Sequence, residues 1–264
     1  MPARRDGRLR KPDRHKRILD ELRVRPAVRV LDVAQRLGVH VQTIRRDLDE
    51  LHTGGKISRT YGGAIMVSAG IEPSIDERDR LLIGERTRIG QKAAELIDSG
   101  DVVMIDVGST TSHFARCLAA RDCEVRLITN SWKLVAAVAQ APHVKTVLCP
   151  GEYSHRQGGV AGPDTTDYLR KFHADKAVLS VGGLAADGLY EYDPDFAWVK
   201  RVMLESAEIR ILLVDHSKFG RKVMTRVCGF EGIDHLVVDE RPEGRMLEAI
   251  EAAGIRIHIA DPVS

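Results

Sequence analysis

The 264-residue sequence lacks the features that mark several large protein classes. Its four cysteines, Cys117, Cys123, Cys149 and Cys228, show no CxxC spacing and no histidines clustered beside them, which removes the geometric premise of a zinc or thioredoxin-type centre. Reduced, mostly buried thiols are expected instead. The remaining histidines are scattered without a metal-ligand pattern, so no metal and no cofactor is expected. No apolar stretch approaches the ~18–20 residues that cross a bilayer. The basic start, MPARRDGRLRKPDRHKR, is followed by neither an apolar leader core nor a small-residue cleavage site. A cytoplasmic protein with no membrane partner is therefore expected. What is present, 43% hydrophobic and 30% charged residues, is the composition of a globular chain with room for one or two domains.

The net charge of +2 conceals an asymmetry. Residues 1–66 hold 16 Lys and Arg against 8 Asp and Glu, a balance of +8, while the rest holds 24 against 30, a balance of −6. A nucleic-acid-binding end or a solvated basic surface would each produce this pattern. The order of the segments favours the former. Ile18, Leu19 and Leu22 recur at helical spacing between Arg14 and Leu22, and Pro26 marks a break. Val30, Val33, Ala34 and Leu37 outline a second helix ending at Gly38. A third, from about Val41 to Leu51, turns Val41, Ile44, Leu48 and Leu51 inward and leaves Gln42, Arg45, Arg46 and Asp49 on the opposite arc. Two short helices around a glycine-containing turn, the second presenting Gln and Arg, form a helix-turn-helix whose recognition helix enters the major groove. Arginine reads guanine and glutamine reads adenine, although either arginine could equally hold phosphate. GGKISRTYGGA then reads as a β-hairpin wing that sets Lys56 and Arg59 beside the phosphate backbone.

SAGIEPSIDERDR, with its Gly, Pro and charge, reads as a domain connection. Beyond it, apolar runs at 102–106, 125–129, 144–148, 176–181, 209–214, 235–239 and 255–260 alternate with helix-like segments. This predicts an α/β layer with a largely parallel sheet buried on both faces. Ligands of such sheets bind at the C-terminal strand ends. After VVMID the chain runs Asp106-Val107-Gly108-Ser109-Thr110-Thr111 into a helix, a turn of small residues and hydroxyls suited to phosphate at a helix N-terminus. It is neither a Walker A loop nor GxGxxG, and a plain helix cap is its other reading. Further strand ends carry Asn130 and Ser131, Gly182 and Gly183 with Gly188, and Asp215 to Lys218. Asp215 could hold sugar hydroxyls while Lys218 neutralises a phosphate or pairs with Asp215. Lys200, on a helix predicted over about 195–207, is either another cation of the site or part of a solvated face.

The segments LDVAQRLGV, TIRRDLDEL and RTYGGA, followed by DVGSTT, ITNS, GGLAADGL, VKRVM and LLVDHSKFGR, resemble the DeoR family of bacterial transcriptional regulators over roughly residues 14–260. The resemblance implies a winged helix-turn-helix followed by an α/β domain like ribose-5-phosphate isomerase and the CoA-transferase-like folds. It assigns a basic arm to 1–13, the DNA-binding domain to 14–66, a linker to 67–80 and an effector-sensing domain to 81–264. DNA contacts are expected from Gln42, Thr43, Arg45, Arg46, Lys56 and Arg59. Asp106, Gly108, Ser109, Thr110 and Thr111 correspond to the family's phosphate loop, and Asp215 and Lys218 to its effector-responsive pair. Asn130, Ser131, Gly182, Gly183 and Lys200 complete the expected effector site, with Arg86 at a basic position near the domain start. Two departures are visible. His40 stands where the family usually has a helix-capping serine, and Phe196 and Trp198 replace acidic or small residues.

The function implied is that of a DNA-binding regulator, expected to be a repressor of carbohydrate-metabolism genes, whose grip on double-stranded operator DNA is modulated by a phosphorylated sugar or polyol. Paired half-sites imply a homodimer or larger homo-oligomer. No catalytic residue is expected. The competing reading is a sugar-phosphate isomerase or transferase fused to a DNA-binding module, for which Phe196 leaves no acidic partner to Asp106 or Asp215.

Overall fold

The computed structural model describes residues 9–24, 27–53, 57–60, 62–66 and 72–260, in two compact units, Met1–Ala69 and Gly70–Ser264. In the first, α1 (Lys11–Val24), β1 (Ala27–Arg29), α2 (Val30–Leu37) and α3 (Val41–Thr53) precede the hairpin β2 (Ile57–Thr60) and β3 (Gly63–Met66). The hairpin is joined by β1 in an antiparallel sheet of order β1-β3-β2. The sequence showed only two of these strands, because three residues are too few to display a period of two. Helix α1 starts at Lys11, so the expected basic arm is shorter than 1–13. Gly38 closes α2 in the left-handed region at φ 63°, a conformation that costs glycine nothing, and its N–H donates to the carbonyls of Ala34 and Gln35. Ile18, Leu22, Val33, Ile44, Leu48 and Ile57 form the small core.

One contact was not legible in the helical pattern. Asp47, on α3, is buried, and it receives Nε and Nη2 of Arg14 at 2.7 and 2.9 Å, with His15 Nε2 3.2 Å away. This fork-to-fork pairing locks α1 against the recognition helix, because the arginine plane matches both carboxylate oxygens.

The second unit opens with α4 (Ile75–Arg78) and α5 (Ile83–Ala94). The chain then alternates through β4 (Val102–Ile105), α6 (Ser109–Ala119), β5 (Val125–Thr129), α7 (Trp132–Val138) and β6 (Val144–Leu148). A ribbon of β7 (Glu152–Ser154) and β8 (Gly159–Ala161) leads to α8 (Pro163–Leu169) and β9 (Ala174–Leu179). The hairpin β10 (Gly183–Ala185) and β11 (Gly188–Glu191) is followed by α9 (Pro194–Glu205), β12 (Ala207–Val214), β13 (Thr225–Cys228), β14 (His235–Val238), α10 (Gly244–Ala252) and β15 (Arg256–Ile259). The seven apolar runs are the seven strands of one parallel sheet, ordered β15-β14-β12-β9-β4-β5-β6. Alternate residues serve opposite cores. Val103, Ile105, Leu127, Ile211 and Leu213 pack with α5, α6 and α7, while Met104, Ile128, Leu179, Leu212 and Val214 pack with α8, α9 and α10. Burial on both faces is why the runs read as continuous rather than alternating.

The segment read as a linker is narrower in the structure. Ser74 accepts from Glu77 N–H while the Glu77 carboxylate takes the Ser74 N–H, a capping box that starts α4, and Ile75 and Arg78 are buried within the second unit. The four cysteines are unpaired. Among the described residues, no helix is long and apolar enough to cross a membrane.

Replacing Asp47 by Ala strands the Arg14 guanidinium. It is expected to lower the stability of the first unit by about 3 kcal/mol, measured as an earlier urea transition of that unit.

Candidate functional site

On α3, Gln42, Arg45 and Arg46 are exposed and Thr43 is half-buried. The Arg45 Nη1 donates to Gln42 Oε1 at 3.3 Å, so these two side chains form one polar edge one turn apart. His40 supplies the missing serine's contact: its Nδ1 accepts the Gln42 N–H at 3.2 Å, which caps the helix with an imidazole. Arg59 does not extend freely toward a phosphate. Its Nε pairs with Asp49 at 2.9 Å and its Nη1 donates to Gly63 O at 2.9 Å, fixing the wing to α3. Lys56 lies outside the described residues.

In the second unit the chain runs from β4 outward through β5 to β6 on one side, then returns to β9 and proceeds through β12 and β14 on the other. The reversal falls between β4 and β9, the kind of switch point at which the loops leaving adjacent strands of parallel sheets diverge and form a ligand crevice. Asp106 follows β4 and Ser180 follows β9. The Ser180 N–H donates to Asp106 Oδ1 at 3.0 Å across that point.

The loop beyond Asp106 is tightly built. A Cβ on Gly108 would lie 2.2 Å from Ser180 Oγ and 2.9 Å from Thr111 Oγ1, so the close approach leaves room only for hydrogen. Thr111 Oγ1 donates to Asp106 O at 2.9 Å, and Ser112 Oγ to Gly108 O at 2.7 Å. The Ser109 and Thr110 hydroxyls make no hydrogen bond among the described residues, and Gly108 provides no side-chain cap, so the first turn of α6 presents uncapped N–H groups. Asn130 holds this loop from behind. Its Oδ1 accepts the Val107 N–H at 3.0 Å and its Nδ2 donates to Val160 O at 2.8 Å, while Ser131 caps α7. Both are fully buried and engaged within the protein, positioning the loop instead of lining its opening.

Lys200 is not on a solvated face. It is buried against Asp106, with Glu191 Oε2 at 3.3 Å. Burial raises the Asp106 carboxyl from its ordinary range, with Lys200 opposing. Burial also disfavours the Lys200 ammonium, yet Asp106 and Glu191 together hold it above its usual value. Asp215 pairs with a cation other than the expected one. Arg86 Nε reaches Asp215 Oδ2 at 3.0 Å, whereas Lys218 has its ion pair with Glu72, at 3.6 Å. Despite complete burial, which works the other way, Arg86 and Lys218 hold the Asp215 carboxyl well below the usual carboxylate range. Gly182 and Gly183 allow close packing against the Tyr192 ring and the Arg221 backbone. Phe196 is core, and Trp198 is exposed with the Arg201 guanidinium 4.4 Å above its ring.

Residues 14–69 match the DeoR-like helix-turn-helix domain and residues 83–240 the DeoR C terminal sensor domain. The chain belongs to the DeoR family of transcriptional regulators. It is 29% identical to the glycerol-3-phosphate regulon repressor of Escherichia coli (strain K12) over 95% of this chain and 100% of that protein. It is 30% identical to the HTH-type transcriptional repressor GlcR of Bacillus subtilis (strain 168), over 92% of this chain and 94% of that one. Among solved structures, the translation initiation factor eIF-2B of Pyrococcus horikoshii OT3 aligns over 86% of this chain and 82% of that one, with TM-score 0.50 and 12% identity, a likeness of fold. Ribose 5-phosphate isomerase A of Methanocaldococcus jannaschii covers 51% of this chain and 53% of that one, with TM-score 0.38 and 18% identity.

In this DeoR-family chain, Glu72, Arg78, Gln157, Ser180 and Glu191 join the site without having been visible in the sequence. Arg78 Nη2 donates to Gln157 Oε1 at 2.6 Å and Gln157 Nε2 to Glu72 Oε2 at 3.1 Å. The one local signal was the S-x-x-E spacing from Ser74 to Glu77, which marks a helix start inside the supposed linker. Beside the site, Asp239 holds His216 Nδ1 at 2.5 Å and, against burial, raises the imidazole to about 9. His113, on α6, shifts the opposite way, lowered to about 4 by burial and the charges of Arg116 and Arg86.

The raised His216 stabilises the fold fully below its unfolded value of 6.5 and loses that contribution as pH climbs through about 9. The depressed His113 contributes above 6.5 and loses its contribution as pH falls toward 4. Melting temperatures of wild type and His216→Asn are therefore expected to differ most below pH 6.5 and to converge by about pH 10.

Proposed function

We propose that this protein is a cytoplasmic repressor of carbohydrate-metabolism genes. It binds operator DNA as a homodimer or larger homo-oligomer, and a phosphorylated sugar or polyol at the crevice between β4 and β9 changes that affinity. The observation that carries the reading is the uncapped first turn of α6, with the Ser109 and Thr110 hydroxyls unengaged, at the topological switch point of a parallel sheet. The charge asymmetry and the exposed Gln42, Arg45 and Arg46 support the DNA-binding half. The names of the relatives, repressors of a glycerol-3-phosphate regulon among them, support the class of gene and of effector. Paired half-sites on DNA favour a two-fold assembly.

The same geometry favours sensing over catalysis. A general base needs an oxygen free to accept a substrate proton. Both Asp106 oxygens and both Asp215 oxygens are engaged, by Ser180 and Lys200 and by Ser217 and Arg86. Turnover of a pentose or hexose phosphate that Asp215→Ala abolishes would replace this reading with the enzymatic one.

Two outcomes test the assignment. With a duplex selected from random DNA by the wild-type protein, Arg45→Ala and Arg46→Ala are each expected to weaken binding by roughly tenfold or more while effector affinity stays unchanged. In a thermal-shift panel of phosphorylated sugars and polyols beside their unphosphorylated parents, one phosphorylated compound is expected to raise the melting temperature of the wild type. The same compound should not stabilise a folded Ser109→Val/Thr110→Val variant. Stabilisation by the unphosphorylated parents alone would remove the phosphate from the proposal.

A further inference from the structure

Glu72 carries an acidic side chain into the interior of the sensor unit from its first described residue. The residue is 3% exposed. Oε1 lies 2.6 Å from Arg78 Nη1 and 3.6 Å from Lys218 Nζ, and Oε2 accepts from Gln157 Nε2 at 3.1 Å. Its backbone is held as well, since Arg156 Nη1 donates to Glu72 O at 2.7 Å and the Ile75 N–H to Arg156 O at 2.8 Å. The seat is nevertheless ill-fitting. Among the described residues, Glu72 Oε1 is buried with no hydrogen bond of good geometry despite its two cationic neighbours, and Arg78 Nε is a buried donor with no acceptor. Buried polar groups are rarely left so, and a donor without an acceptor beside two cations is one that an anion with more oxygens than a carboxylate would satisfy.

The charges around Glu72 leave little latitude. Asp106 and Glu191 share Lys200, Asp215 holds Arg86, and Glu72 holds Arg78 and Lys218. A phosphate entering while every carboxylate remained would add negative charge to a buried cluster in which these four carboxylates already face four cations. Displacing one carboxylate reduces that excess. Asp106, Glu191 and Asp215 sit on or directly after strands of the fold, whereas Glu72 lies in an irregular stretch ahead of a helix of one turn, just beyond the Ala69/Gly70 division between the two units.

We propose that Glu72 is a built-in competitor for the effector: its carboxylate occupies the anion position between Arg78 and Lys218, and a phosphorylated ligand binds by displacing it. This rests on the reading of the crevice as a phosphate site given above. It adds the regulatory step, because expelling Glu72 releases the backbone that continues into the DNA-binding unit. The ligand then favours the released arrangement by its differential affinity for it.

The test is titration calorimetry of the full chain with inorganic phosphate, glycerol 3-phosphate and glucose 6-phosphate. Glu72→Gln, which keeps the shape and removes the competing charge, is expected to bind its best phosphate probe about tenfold more tightly than wild type. Lys218→Met is expected to bind it about tenfold more weakly in either background. A folded Glu72→Gln with equal or lower affinity, beside a wild type that binds, overturns the competitor and leaves the phosphate site standing. Absence of binding to every probe by both proteins overturns the phosphate site and the competitor with it. Hydrogen exchange on the wild type needs no variant: amides of residues 72–79 are expected to exchange faster with the best probe bound, and slower or unchanged exchange overturns the displacement.

Discussion

Charge compensation at the C-terminal edge of the parallel sheet is the constraint on which the rest of the sensor depends. Asp106 and Asp215 are completely buried, and each is ionisable only because a basic side chain from another element meets it: Lys200 from α9 and Arg86 from α5. Losing either cation would leave a buried carboxylate without its paired counter-charge, a state that costs several kcal/mol. These pairs therefore tie α9 and α5 to the strand ends. They also set the geometry of the crevice, because Asp106 fixes Ser180 from the neighbouring strand and Asn130 fixes Val107 from behind.

In the proposed reading, such a site recognises a ligand by exchange of charge as well as by shape. The uncapped turn of α6 offers N–H groups and two hydroxyls, and its glycine lets the loop pack closely against Ser180 and Thr111. The DNA-binding unit has a parallel logic on a smaller scale, with Asp47 pinning α1 to α3 and Arg59 pinning the wing to α3. Its exposed arc of Gln42, Arg45 and Arg46 is presented on a helix whose position two ion pairs hold. A rigid reading surface and a charge-balanced sensor are the two parts that a ligand-dependent regulator has to couple, and the coupling is reciprocal: DNA alters effector affinity by the factor by which effector alters DNA affinity.

Much of this was visible before any coordinates. The seven strands appear as apolar runs because both sheet faces are buried, and α2 and α3 show their inner faces because helical periodicity sorts Val33, Ile44 and Leu48 from Arg45 and Arg46. The turn from Asp106 to Thr111 was legible because it follows a strand directly. The pairing of charges was not. Arg86 and Asp215 are far apart in the sequence, and nothing local distinguishes an arginine bound for the interior from one bound for solvent. Lys200 had an equal claim to a solvated face, Arg59 to a phosphate, and Glu72 to a linker.

The sequence by itself determined the order of helices and strands, the orientation of the recognition helix and the loop that opens the crevice, because each follows from patterns a few residues long. Only the tertiary structure decided which cation neutralises which carboxylate, that Asn130 supports the site from behind, and that Glu72 enters it. Those outcomes depend on which strand ends become neighbours when the sheet reverses direction between β4 and β9. Desolvation then selects partners by distance in space, for which separation along the chain is no guide.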